Sequence, residues 1–234
     1  KYIDAKTPLS IQVHPSNELA KTRHNSFGKN EMWYIMEAEE NAELIVGFSK
    51  ELTQESYKRK LDEGQILEVL NAEEISKGDT FYIPTGRVHA IGAGVVLAEI
   101  QQTSDVTYRI YDYKRVDIKT GKERELHTDL ALDAIDYKLH DTYKTLYTLK
   151  ENKSSELVYS PYFKTNIIQL KGTMNKDYSS LDSFVIYMCV EGNAEIKCGH
   201  KIYQLNLGQT MLLPATVENV ELISNNAKLL EVFL

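Results

Sequence analysis

A chain of 234 residues, 42% of them hydrophobic, is long enough to bury one or two cores. Its 34 acidic and 27 basic residues give a formal charge of -7 spread without long blocks, which argues against nucleic acid or an anionic membrane as partner; any bound phosphate must meet a local basic pocket. Two cysteines, Cys189 and Cys198, are too few for a secreted disulfide framework and are expected to be reduced; with no apolar run near the ~20 residues of a membrane span and no signal-peptide pattern in KYIDAKTPLS, the expected location is cytoplasmic.

The chain starts without Met and enters a strand-like pattern within a few residues, so the sequence is expected to lack its true N-terminus. From Pro8 to His14, PLSIQVH alternates Leu9, Ile11 and Val13 with Ser10, Gln12 and His14, the period-two pattern of a half-buried strand. A polar stretch, Lys21 to Asn30, leads into EMWYIME, a second strand that places Lys29, Glu31 and Trp33 on one face. Between Ser49 and Ala72 the spacing turns helical at Leu52, Tyr57 and Leu61 and again at Ile66, Val69 and Leu70, with Gly64 expected to separate two short helices.

GDTFYIPTGRVHAIGAG and VVLAEIQQTSDVTYRIYDY come next, dense in β-branched and aromatic residues with Gly and Pro at the turns. A helical segment is expected at Thr128 to Tyr137, capped by Thr128 or Asp129. Short strands resume from about Lys144, and they carry a weak repeat: WYIMEAEENAELIVG (Trp33 to Gly47) resembles FVIYMCVEGNAEIKCG (Phe184 to Gly199), and GDTFYIP (Gly78 to Pro84) resembles GQTMLLP (Gly208 to Pro214). The expected architecture is mainly β: two cupin-type, jelly-roll β-barrels, the first with a helical insertion at about 49–72. The domains are expected at 1–125, with a helical connector at 126–143 and a second domain at 144–234.

The stretch Gly78 to His89, Gly-x5-Pro-x-Gly-x2-His, is similar to the second half of the cupin motif, in which Pro ends a strand and His points inward. The first half of that motif supplies two ligands from one strand and a Glu from the next, roles filled here by Gln12, His14 and Glu31; ligands at i and i+2 of a strand project the same way. Two imidazoles, a carboxylate and an amide oxygen suit Zn²⁺, and Fe²⁺ or Mn²⁺ are chemically compatible. A single strand His is more often a satisfied polar residue than a ligand; it is the constellation that favours a metal. His24, His127, His140 and His200 lie in polar stretches and are expected to be solvated surface residues, and Asn219 takes the place of His89 in the repeat, so the second barrel is expected to be metal-free.

On the segments PLSIQVHP, KNEMWYI, IPTGRVHAIGAG and EIQQTSDVTYRIYDY, the chain resembles the class I, cupin-type mannose-6-phosphate isomerases of the bacterial short form. The resemblance implies one Zn²⁺ per chain on Gln12, His14, Glu31 and His89, with Arg109 catalytic. It also implies acid, base or substrate-contacting roles: catalytic for Glu99 and Lys29, substrate-binding for Ser10, Asp105 and Lys114, with Arg115 adding to phosphate attraction. Without the resemblance, Arg109, Lys114 and Arg115 would read as a solvated strand end. The implied reaction interconverts mannose 6-phosphate and fructose 6-phosphate through an enediol, and the implied protein is a monomer or weak homodimer. The alternatives are a metal-dependent cupin dioxygenase or a non-catalytic sugar-binding cupin, the latter opposed by the presence together of Lys29, Glu99 and Arg109. The family carries further strands before PLSIQVHP, without which the first barrel would have an open edge.

Overall fold

Alternation of apolar and polar residues dominates the chain, and in the computed structural model, which describes residues 1–234, it produces fifteen strands against three α-helices and one 3-10 turn. The chain divides into two units, Lys1–Lys144 and Thr145–Leu234. No helix is long and apolar enough to cross a membrane, and both cysteines are free thiols.

Two antiparallel sheets build the first unit. One runs β1 (Tyr2–Ala5), β8 (Val95–Gln101), β3 (Glu31–Ala38), β6 (Thr80–Ile83); the other runs β5 (Leu70–Glu74), β4 (Glu43–Phe48), β7 (His89–Ile91), β2 (Ile11–Val13), β9 (Tyr108–Tyr111). Trp33, Ile35, Phe81 and Leu97 of the first sheet share a core with Leu44, Val46 and Ile91 of the second, so the sheets pack face to face. A separate core, with Ile11, Val13, Phe48, Val88, Ala90, Tyr108 and Ile110, lies on the outer face of the second sheet. Tyr57 of α2 (Gln54–Asp62), Ile66 and Val69 of the 3-10 turn Ile66–Val69, and Ala131 of α3 (Thr128–Leu132) cover that face. Burying a side chain as large as Phe48 contributes roughly 1.5–3 kcal/mol, and burial of Ile11, Val13, Ala90, Tyr108 and Ile110 in this outer layer holds the short strands β2, β7 and β9 from behind.

Three local expectations are corrected. The apolar residues after Gly64 form only a 3-10 turn, and Leu70 onward is strand β5 because Ala72 and Glu73 pair with Ile45 and Leu44 of β4; sheet pairing overrides the helical spacing. The polar stretch hides a helix, α1 (Asn17–His24), whose N-cap Ser16 accepts from the Leu19 N–H and whose end is closed by Asn25 in the left-handed region at φ 48°. The helix at Thr128 stops at Leu132, and its N-cap is His127, which makes no side-chain capping bond. Residues 126–143 lie within the first unit, where Ala131 and Ile135 are buried and the Tyr143 hydroxyl both accepts from the Phe48 N–H at 3.1 Å and donates to its carbonyl at 2.9 Å.

The second unit is one sheet in the order β10 (Ser154–Tyr159), β11 (Lys164–Asp177), β15 (Asn219–Phe233), β12 (Val185–Cys198), β13 (Lys201–Asn206), with β14 (Thr210–Leu213) also paired to β12. Its long strands break register at Leu170/Gly172 and Gly192/Glu195 and gather residues from both halves, Ile168 and Leu229 with Ile196 and Leu222, into one core. Gly192 is required at its bulge: φ is 71°, and a Cβ there would lie 2.3 Å from the Asn226 carbonyl oxygen. The expected closed barrels are not observed, since the sheets of both units remain open. The repeat, by contrast, is visible atom for atom at its turns. Asp79 Oδ2 accepts from the Ser76 N–H and Gln209 Oε1 from the Asn206 N–H, both at 2.8 Å, and the Arg87 and Val217 N–H groups donate to the Pro84 and Pro214 carbonyls.

Glu231 is buried in the second unit, where Lys176 Nζ lies 2.6 Å from its carboxylate and Tyr178, Asn166 and Ser154 donate to it. Burial pushes this carboxyl up, but Lys176 and the donated hydrogen bonds outweigh burial and hold it below the ordinary value of 4.5. The resulting stabilisation is full above that ordinary value and is lost as pH falls through the lower folded one. Lys176→Met is expected to cost roughly 3 kcal/mol at neutral pH and to flatten the acid dependence of urea unfolding; an unchanged unfolding midpoint would contradict this.

Candidate metal centre

The alternation of β2, β7 and β9 decides which side chains enter the space between the sheets. Ile11 and Val13, Val88 and Ala90, and Tyr108 and Ile110 all belong to the outer core, so the residues between them, Gln12, His89 and Arg109, project inward. Gln12 is the register partner of His89 on one side and of Arg109 on the other, which sets the three side chains in a row across adjacent strands. From the opposing sheet come Glu31 and Trp33 of β3 and, opposite Trp33 in register, Glu99 of β8. The Trp33 indole meets the His89 ring edge-on with centroids 5.3 Å apart.

His14 and Lys29 flank the strands and depend on a close backbone approach. A Cβ on Gly28 would fall 2.7 Å from Asn17 N and 2.8 Å from the Pro15 carbonyl oxygen, so glycine lets the chain before β3 lie against the start of α1. The Gly28 N–H donates to Asn17 Oδ1 at 2.8 Å. Lys29 and Glu31 are thereby brought against His14: His14 Nε2 is 3.1 Å from Glu31 Oε1, and the Lys29 ammonium hydrogen-bonds the same oxygen while lying 3.4 Å from His14 Nε2.

His14, Glu31 and His89 are almost wholly buried, at 1%, 0% and 0% exposure, and their ligating atoms lie within 4.8 Å of one another. Both imidazoles are held at the far nitrogen, His14 Nδ1 by the Val106 carbonyl at 2.9 Å and His89 Nδ1 by the Arg87 carbonyl at 2.8 Å. With its proton on Nδ1, each imidazole could offer Nε2 to a metal, the arrangement by which carbonyls orient metal-binding histidines. Glu31 Oε2, 3.8 Å from His89 Nε2, is buried without a hydrogen-bond partner. The Gln12 amide nitrogen is 3.2 Å from His89 Nε2, and a half-turn of the amide exchanges it for the oxygen a metal would take.

The electrostatics point the same way. Burial, with His14 beside it, pushes the His89 imidazole down to about 3, so it is neutral at pH 7 and ready to ligate. Burial opposes ionisation of Glu31, but the His14 hydrogen bond and the positive groups around it hold the carboxyl below the usual carboxylate range. An anionic carboxylate with one oxygen lacking a hydrogen-bond partner, beside two imidazole nitrogens, fits a divalent cation by charge and by donor type.

The other sequence candidates fall at graded positions. Arg109 Nη1 donates to the Glu125 carbonyl at 2.8 Å, while its Nε is buried without a partner. Burial, then the charge of Arg124, pulls its guanidinium below the ordinary value. Asp112 receives Arg115 and Arg124, leaving three arginines against one buried carboxylate beside the row. The Glu99 carboxylate accepts from Trp33 Nε1 at 3.1 Å and pairs with Lys1 Nζ at 3.2 Å. Ser10 is buried two residues before Gln12, whereas Asp105 is exposed and Lys114 stands on an exposed turn with φ 54°. Two histidines expected to be solvated are engaged: His140 Nε2 lies 3.2 Å from Arg87 Nη2, and His127 Nδ1 accepts from the Arg109 N–H. His24, though exposed, is 2.8 Å from the Tyr108 hydroxyl. Sequence pattern does not mark Trp33 or the Val106 and Arg87 carbonyls as site groups; the one sign of Trp33's place is the face it shares with Glu31.

His89→Ala and Glu31→Gln are each expected to weaken Zn²⁺ binding by roughly 100-fold or more, read by competition with a chromogenic chelator. Undiminished affinity in either variant would place the metal elsewhere.

The family model described as the cupin domain of mannose-6-phosphate isomerase matches residues 153–234. The chain is 35% identical over 217 residues to the mannose-6-phosphate isomerase ManA of Bacillus subtilis, covering 92% of this chain and 68% of that one. It is 32% identical over 220 residues to a mannose-6-phosphate isomerase of Streptococcus mutans, covering 94% and 68%. The crystal structure of the Bacillus subtilis mannose 6-phosphate isomerase superposes with a TM-score of 0.90 at 30% identity, over 100% of this chain and 74% of that chain. A variant of phosphomannose isomerase from Salmonella typhimurium superposes with a TM-score of 0.78 over 99% of this chain and 77% of that chain; at 14% identity that likeness concerns the fold alone.

Proposed function

The chain belongs to the mannose-6-phosphate isomerase family, and from that premise we propose that it interconverts mannose 6-phosphate and fructose 6-phosphate at the His14, Glu31, His89 cluster. The observation that carries this reading is the cluster itself: a buried carboxylate oxygen without a partner faces two oriented imidazole nitrogens, with Arg109 one strand away from Gln12 in the same row.

The reaction opens the sugar ring, takes the proton from C2 and returns it to C1 through an enediol. Gln12, His14, Glu31 and His89 would hold a divalent cation, which would supply Lewis-acid polarisation of the sugar oxygens, and zinc suits the donor set best. Arg109 donates from its guanidinium to the negative oxygen that develops or to the phosphate, remaining protonated throughout. Lys29 and Glu99 are the proton-handling candidates. Lys29 sits within the cluster, and Glu99 is oriented toward the intersheet space by Trp33. Ser10, Asp105 and Lys114 contact substrate in this reading, with the arginines around Asp112 attracting the phosphate as it approaches.

Each unit is read as a cupin-type jelly roll. The segment to residue 125 carries the chemistry, 126–143 is a helical connector packed onto that first unit, and 144–234 is metal-free because Asn219 opens β15 where His89 opens β7. The protein is read as a cytoplasmic monomer or weak homodimer.

The deciding experiment is a coupled assay of mannose 6-phosphate conversion on the full-length protein before chelation, after it, and with zinc, Fe²⁺ or Mn²⁺ restored. Turnover lost on chelation and recovered with metal is expected, and Arg109→Ala should then lower kcat by about 10²- to 10³-fold. Absence of turnover with metal bound would sink the reading, and oxygen uptake in its place would favour a dioxygenase.

A further inference from the structure

β9 is the last strand of its sheet, so the outward backbone groups of Arg109 have no neighbouring strand to pair with. Residues 125–127 fill that gap. The Arg109 N–H donates to His127 Nδ1 at 3.1 Å, the His127 N–H donates to the Arg109 carbonyl at 2.7 Å, and Arg109 Nη1 donates to the Glu125 carbonyl at 2.8 Å. The imidazole nitrogen thus stands where the carbonyl of a further strand would stand, and the guanidinium is gripped at one terminal nitrogen while its buried Nε stays unpaired.

His127 is itself held by the helix that it begins. Its carbonyl accepts from the Ala131 N–H at 2.9 Å to start α3, and Ala131 and Ile135 are buried in the outer core. The N-cap position of a helix favours Ser, Thr, Asp or Asn, whose side chains bond the first free N–H groups. His127 occupies that position with no capping bond, its ring turned to Arg109 instead. A residue serving only the helix would be shorter and would cap it.

We propose that His127 is a positioning residue for Arg109, the central link of a strap from α3 that fixes the backbone of Arg109 and, through Glu125, the setting of its guanidinium. The proposal rests on the isomerase reading for what Arg109 does, but the strap is a statement about backbone geometry. Because His127 accepts at Nδ1, the working tautomer carries its proton on Nε2.

His127→Ser tests it, since serine is a preferred N-cap but cannot span from residue 127 to the Arg109 amide as the ring does. Expected in this variant are an unchanged or raised melting temperature, unchanged zinc content, a kcat lower by roughly 10- to 100-fold with most of the loss in kcat and not in KM, and faster hydrogen exchange at the Arg109 amide. In the Arg109→Ala background the same substitution should cost nothing further, because its effect passes through Arg109. An equal loss in both backgrounds, or a fully active His127→Ser enzyme, would overturn the proposal. Arg109 amide exchange is read without turnover, so a protein that fails to isomerise but shows faster exchange in His127→Ser loses the functional reading and keeps the strap. Unchanged exchange removes the strap whatever the activity.

Discussion

A carboxylate buried as completely as that of Glu31 persists only where other groups replace the water it has lost, and that requirement organises the first unit. Lys29 and His14 crowd one oxygen, while the other faces His89 with no hydrogen bond. For these partners to converge, one strand must present His89 beside Gln12, another must begin at Glu31, and the chain at Gly28 must pass against Pro15 closely enough to exclude a Cβ. Packing elsewhere serves these placements. The inner faces of the sheets supply Trp33 as a wall against His89, and the outer core holds the short strands from behind.

That outer core is what separates this sheet from a one-sided one. Ile11, Val13, Val88, Ala90, Tyr108 and Ile110 are buried under helices, so both faces of β2, β7 and β9 are covered and the strands have no freedom to slip by one residue. A one-residue slip would send Gln12, His89 and Arg109 outward into the apolar layer and bring Val13 or Ile110 into the site. Positional accuracy in the cluster therefore comes from apolar packing on the opposite face, and α3 contributes to it twice, through Ala131 in that layer and through His127 on the edge strand.

Much of the site was legible in the sequence because strand alternation maps directly onto facing. PLSIQVH separates Ile11 and Val13 from Gln12 and His14, and EMWYIME sets Glu31 with Trp33; the structure keeps both divisions. The Gly-x5-Pro repeat was legible for the same local reason, as its turns are closed by hydrogen bonds between near neighbours. The features that were not legible depend on contacts distant in sequence. β5 arises from pairing with β4, against a helical spacing in its own residues. His127 gained its partner from a strand eighteen residues earlier through a backbone N–H, which no pattern of side chains encodes. The sheets stay open where barrels were expected, because alternation specifies the facing of a strand and not whether the last strand finds the first.

The central claim is that one cation is held at the Nε2 atoms of two carbonyl-anchored imidazoles and the carboxylate of Glu31. Anomalous diffraction at the zinc edge, from crystals of the protein soaked with zinc, tests it most directly. The account predicts a single strong peak about 2 Å from His14 Nε2, from His89 Nε2 and from a Glu31 oxygen, with the Nδ1 bonds to Val106 and Arg87 intact. A peak bound through Nδ1, or one at another group of residues with this cluster unchanged, would contradict it.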